Sequence, residues 1–304
     1  MIVGHAPDER GKGALRLAAT LARSAGDDLV VCCVVPAPWA PGMARVDAEY
    51  REELDRTADW ALETARSNLP DDVPATFVRH SARSAPAGIL ELAGQHAASL
   101  IVLGSSSAGG FGHVALGSVT DRLLHSSPVS VALATRGYRA APDARITRVT
   151  AAFGGSGSAG QLVVAAASVA AQVSATMRIA SLAVWSRPPY TTRLGADSED
   201  QVFQEWSREV RKAADAALDQ VKQLEARPSD VEIVTGRGND WGEALDDLGW
   251  HDGDIMVMGS STLGPIAQVF LGSRATKILR HSPVPVVVMP RARAEELAGR
   301  AART

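Results

Sequence analysis

Short apolar runs rich in valine and isoleucine alternate with longer, helix-like stretches along the whole chain. In the first half the runs are MIVGH, DLVVCCVV, ATFVRH, SLIVLG and PVSVALA; in the second they are ITRVTAA, TMRIASLAV, VEIVTG, DIMVMG and PVPVVVM. Strands of this kind separated by helical patterns predict a parallel sheet covered by helices on both faces. Right-handed crossovers make each half a doubly wound α/β unit, whose ligands sit at the carboxyl ends of the strands. Between the second and third runs of the second half, Asp197–Ala226 mixes charges at i,i+4 around an apolar stripe, which predicts a solvated surface helix.

The pattern is repeated. IVLGSSSAGGFGHVALGSVTDRLLHSSPVSVAL returns as IMVMGSSTLGPIAQVFLGSRATKILRHSPVPVVVM, with Gly104 and Gly259 155 positions apart, as are Gly117 and Gly272. Each copy follows the fourth strand of its half with a small-residue loop and then a helix. Unpaired N–H groups at such a helix start make an anion cradle. The beginnings match more loosely, each being an apolar strand, a small or polar loop and an alanine-rich helix. Two domains are expected, at 1–138 and 145–292, joined by the polar stretch Thr135–Arg145, with a solvated tail at 293–304. The fifth strands, PVSVALA and PVPVVVM, are apolar on both faces. An open apolar edge invites aggregation, so these two are expected to pair with each other, within one chain as a pseudo-dimer or between chains of a homodimer.

Composition narrows the classes. Hydrophobic residues make up 46% and charged residues 21% of 304, as in a globular protein, and the net charge of −3 supplies no basic field for nucleic acid or an anionic membrane. Cys32 and Cys33 are adjacent on a strand and point to opposite faces, so they read as reduced core thiols. With no signal peptide or membrane-length apolar run, the expected location is cytoplasmic.

The spacing G-x-x-G-x9-G-[ST], followed by VTDRLLHSSPVSV, resembles the universal stress protein family, and the resemblance covers both halves. It implies a five-stranded α/β fold of order 3-2-1-4-5 (Rossmann-like, of the adenine nucleotide alpha hydrolase type), pairing through the fifth strands, and a role in stress-response sensing or signalling. It also implies ATP, with Mg2+ accompanying it, as candidate ligand. Residue by residue, the candidate nucleotide-binding positions are Gly104, Ser107, Gly117 and Ser118 in the first half, and Gly259, Thr262, Gly272 and Ser273 in the second. Ser107 and Thr262 replace the motif's second glycine. Where the family's nucleotide binders carry an aspartate after the first strand, helix alignment places Ala6 and Phe153. The doubled Gly-Ser pairs favour a nucleotide. The missing carboxylates favour the other reading, a structural or protein-interaction module that binds none.

No catalytic residue is assigned, and ATP hydrolysis is at most weak, because no general base and no metal-binding carboxylate pair can be named. GGSGSAGQ has two glycines at P-loop spacing, but Gln161 and Leu162 stand where lysine and Ser/Thr are required. A nucleophile elbow does not fit this stretch in register either; Ser156 or Ser158 is expected to cap the following helix. His125 and His281 close helices, where a cation is favourable, and His5 and His113 lie near the expected cleft without metal-like neighbours. Trp60, Trp185, Trp206, Trp241 and Trp250 are expected on buried helix faces or an interface.

Overall fold

The structure, a computed structural model, describes residues 1–37, 44–155, 159–185, 193–260 and 272–303. The first half runs β1 (Ile2–Gly4), α1 (Glu9–Ala25), β2 (Leu29–Pro36), α2 (Ala44–Asn68), β3 (Ala75–Ala82), α3 (Ala85–Gln95), β4 (Leu100–Leu103), α4 (Ser118–Ser126) and β5 (Ser130–Leu133). The second runs β6 (Arg148–Ala152), α5 (Ala159–Gln172), β7 (Thr176–Val184), α6 (Arg193–Lys222), β8 (Val231–Gly238), α7 (Trp241–Asp246), β9 (Asp254–Gly259), α8 (Ser273–His281), β10 (Val286–Met289) and α9 (Arg291–Ala301). Every apolar run singled out in the sequence is a strand.

Local chemistry sets the helix ends. Asp8 caps α1 by accepting from Arg10 N (3.0 Å) and Gly11 N (3.1 Å), and Gly26 closes it at φ 68°, a left-handed turn that glycine enters without strain. Ser84 and Asp240 cap α3 and α7 with their side chains. The expected caps at Ser156 or Ser158 lie outside the described residues.

All ten strands form one sheet, in the order β3-β2-β1-β4-β5-β10-β9-β6-β7-β8. Each half is parallel and ordered 3-2-1-4-5; the halves meet where β5 pairs antiparallel with β10, placing Val131 opposite Val288, Ala132 opposite Val287 and Leu133 opposite Val286. The two fifth strands therefore pair within one chain. Alternating residues feed two cores. One face carries Val3, Val102, Ala132, Val149, Val257 and Val287, the other Ile101, Val131, Leu133, Met256, Val286 and Val288. Both cores run uninterrupted across the seam, so neither half buries its sheet alone.

Residues 291–301 are not a solvated tail. They form α9, whose Ala294 is buried and whose Leu297, Ala298 and Ala301 pack on the core against α5. These positions fall at i, i+3, i+4 and i+7, one helical face. The linker is pinned too: Arg23 donates to Ala144 O (3.1 Å) and Ile146 N donates to Ser24 Oγ (2.8 Å), laying the segment along the end of α1. Arg23 also forks onto Asp72 at 2.6 and 2.8 Å.

The second half buries a guanidinium. Arg178 on β7 is 1% exposed; its Nε donates to Thr150 Oγ1 (3.1 Å) and its Nη1 to Leu248 O (2.6 Å) and Gly249 O (3.1 Å). Its plane lies over the Trp250 ring, 4.5 Å from the centroid. Burial and the neighbouring Arg148 both lower its pKa. Arg148 is itself neutralised by the buried Asp254, with Nε to Oδ1 at 3.0 Å.

Candidate functional site

At the carboxyl ends of β1, β2 and β4 a cleft of about 350 Å³ opens, lined among others by Ala6, Arg10, Gly104, Ser106, Gly117 and Ser118. Among the described residues no carboxylate lines it. Gly117 is the N-cap of α4, with φ −103° and ψ 172°, and no side chain caps the helix. Ser118 is the first residue of the helix. The amides of the first turn are thus left for whatever enters the cleft.

The loop from Gly104 to Gly117 is built rather than slack. Ser105 is buried, donates to Ala134 O (2.6 Å) and accepts from Ala115 N (3.0 Å), tying both ends of the loop to the chain just past β5. Ser106 N donates to Ala115 O (2.8 Å), and Gly112 N donates to Arg136 O (3.0 Å) at a φ of 83°. Ser107, at the motif's second-glycine position, is exposed and does not line the cleft; its neighbour Ser106 does. A one-residue spacing rule could not distinguish the two.

Gly104 lies where α1 comes close. A Cβ there would sit 2.0 Å from the Arg10 carbonyl oxygen, whereas one at Gly259 would meet, among the described residues, the Leu162 side chain at 3.6 and 3.8 Å. Gly104→Ala is therefore expected to destabilise the protein by about 1–3 kcal/mol, because backbone must move. Gly259→Ala is expected to be neutral, or stabilising by up to about 1 kcal/mol. Urea melts of the two variants measure the difference; equal effects would show that the repeat imposes the glycine for another reason.

The aspartate position holds no carboxylate in either half, but the two residues placed there are out of register. His5 N donates to Cys32 O (2.9 Å) and Phe153 N donates to Ala180 O (2.8 Å), and β1 and β6 pair so that Gly4 faces Cys32 and Ala152 faces Ala180. His5 and Phe153 are equivalent, and Ala6 corresponds to Gly154. The strand-to-helix connections differ in length, residues 5–8 against 153–158, so aligning the helices shifts the strand ends. His5 is 7% exposed, neither ring nitrogen has a hydrogen-bond partner of ordinary geometry among the described residues, and burial holds its pKa below the usual histidine value. Asp8, the nearest carboxylate, is occupied as the α1 cap. Burial alone would raise its pKa, but the hydrogen bonds from Arg10 and the Gly11 amide outweigh that and lower it.

The second half places an equivalent cleft of about 460 Å³ at the ends of β6, β7 and β9. Gly259 lines it. Gly272 caps α8, again with no side-chain bond, and Ser273 opens that helix, yet the residues of α8 that line the cavity are Arg274, Ala275 and Ile278. Thr262 lies outside the described residues. Phe153 is 6% exposed, packed into the core with an edge on the cavity. Trp206 packs on the core from the face of α6, as expected, and Trp185, Trp206 and Trp241 also converge on this cleft. Trp250 packs on Arg178 as described, and Trp60 is 60% exposed.

The remaining candidates have structural roles. His125 Nδ1 lies 2.6 Å from Asp121 O and His281 Nδ1 2.8 Å from Lys277 O, each closing its own helix. Both cysteines are free; burial pushes the Cys32 thiol up to about 12 and raises Cys33 as well, so neither is a ready nucleophile. Among the described residues no group of three His, Cys, Asp or Glu gathers to hold a metal, and no helix is long and apolar enough to cross a membrane.

A doubly wound α/β fold used twice, with a glycine-to-helix loop at each strand end, defines the class of protein. The universal stress protein family model matches residues 1–135 and again 145–290, and the chain belongs to that family. It is similar to universal stress proteins of Mycobacterium tuberculosis and Mycobacterium bovis, 35% identical over 294 residues that cover 95% of this chain and 99% of theirs. Among solved structures, a universal stress protein from Archaeoglobus fulgidus superposes with a TM-score of 0.60 at 17% identity, covering 95% of this chain and 98% of that one. A functionally unknown protein from Pseudomonas aeruginosa gives 0.56 at 13% identity, covering 100% and 97%. Both support the fold.

Proposed function

We propose that the first-half cleft binds a nucleotide weakly, through its phosphates, and that its occupancy is the signal this protein contributes to a stress response. The observation that carries this is the α4 N-terminus. It is left without a side-chain cap and opens into a cavity with no carboxylate among its described lining residues, with Arg10, paired to Asp8, on the rim. Anions are favoured there by the helix dipole and the unpaired amides together. With no carboxylate to read the nucleoside, ATP and GTP are expected to bind alike. Any Mg2+ would arrive on the phosphates, since the lining offers it no ligand set. Among the described lining residues there is no carboxylate to serve as a general base, so the reading is of a binder and not of a hydrolase.

Thermal melts test it. ATP at a hundredfold excess over Kd is expected to stabilise the native state by about 2.7 kcal/mol, roughly 5–10 °C for a protein of this size. Gly117→Val is expected to abolish the shift by shielding the helix amides. It should still fold, because a Cβ at Gly117 meets only Ser106 side-chain atoms at 3.5 and 3.8 Å and its backbone is extended. No shift with either nucleotide at millimolar concentration would refute the reading.

A further inference from the structure

The second-half cleft has the same place in the fold as the first and a different chemistry. Where the first is lined by the hydroxyls of Ser106, Ser118 and Thr120, the second has Trp185, Trp206, Trp241, Phe153, Leu182 and Met258, and no hydroxyl-bearing side chain among the described residues. The indoles come from three separate elements. Trp185 follows β7, Trp206 lies on α6 one turn before the buried Val210, and Trp241 opens α7. Ala85 opens α3 at the corresponding point of the first cleft, so an alanine there has an indole as its counterpart. Three large flat apolar surfaces around a cavity of about 460 Å³, within the ordinary range for small-molecule sites, are suited to a planar ring.

The charge is equally specific. Arg274 is the one charged side chain of the lining, exposed, with no hydrogen bond or ion pair among the described residues. It stands in the first turn of α8, which contains no acidic residue and whose N-cap has no side-chain bond; the first turn of α4 carries Asp121. A cation at a helix N-terminus opposes the dipole, so this mouth is doubly positive. Aromatic boxes also take cations, but such boxes do not place an arginine and a positive helix end at the entrance.

We infer that the second-half cleft is a separate site for a small planar aromatic molecule bearing one negative charge, its ring against Trp185, Trp206 and Trp241 and its anionic group at Arg274. The inference does not depend on nucleotide binding in the first cleft.

Titration calorimetry on the full chain with three probes of one shape tests it: indole-3-acetate, neutral indole and cationic tryptamine. Indole-3-acetate is expected to bind saturably with a Kd below about 1 mM, and about tenfold more tightly than tryptamine. Arg274→Gln, at an exposed position, is expected to fold normally and to erase that preference while leaving indole binding unchanged. Trp241→Leu should weaken all three probes. Excess ATP should not displace indole-3-acetate, and Gly117→Val should bind it like the parent, which separates this site from the first. Absence of saturable binding, equal or tighter binding of tryptamine, indifference to both substitutions, or displacement by ATP would each overturn the inference.

Discussion

Val288→Lys is expected to unfold the protein or lower its melting temperature by roughly 10–20 °C. Val288 and its cross-strand partner Val131 are both 0% exposed at the centre of a ten-stranded sheet, and an unpaired ammonium there carries a penalty of several kcal/mol. Total stability of such proteins is only about 5–15 kcal/mol, and each kcal/mol shifts the melt by roughly 2–4 °C. The informative readout is hydrogen exchange in the other half. Because β10 completes the pairing of β5, the amides of Ser130–Leu133 should lose protection along with those of Val286–Met289. A variant in which β5 stays protected while β10 opens would show that the seam does not couple the halves.

Arg178→Ala is expected to be the most damaging change away from the seam, by about 3–5 kcal/mol. The guanidinium serves three oxygens on two segments and underlies Trp250. Removing it leaves the Leu248 carbonyl and the Thr150 hydroxyl without this donor, while Gly249 O keeps only Arg148 Nη2 (3.0 Å), and it opens a void under the indole. Arg178→Lys should recover less than half of the loss, because a single ammonium cannot fork to Thr150 and the two carbonyls while stacking on a ring. Equilibrium denaturation of both variants gives the numbers; a loss under about 1 kcal/mol for Arg178→Ala would show that the cation is incidental to the fold.

Why some features were legible in the sequence and others were not has physical reasons. The ten strands stand out because buried parallel strands must be apolar on both faces, and the valine and isoleucine runs have few alternatives. The pairing of β5 with β10 followed from the same fact. Helix α9 was hidden because its buried face is mostly alanine among arginines and glutamates, which reads as solvated until α5 offers an equally small surface to dock on. The equivalence of His5 and Phe153 was missed because helices, not hydrogen-bonded strand positions, set the alignment. In the second cleft, Trp206 was masked by the stripe it belongs to: it keeps helical step with Val210, Ala214 and Val221 and so looked like core. Its companions gave a signal that position could have supplied, since Trp185 and Trp241 both sit just beyond the carboxyl ends of strands.

The antiparallel junction of β5 and β10 also dictates where the two mouths point. Each cleft opens at the carboxyl ends of its own strands, and the strands of one half run opposite to those of the other. The mouths therefore open at opposite margins of the sheet, and molecules held in them can never touch. One chain presents two back-to-back faces that separate partners could read at the same time. The shortest route by which one occupant could influence the other runs through two four-residue strands and the side chains packed on them.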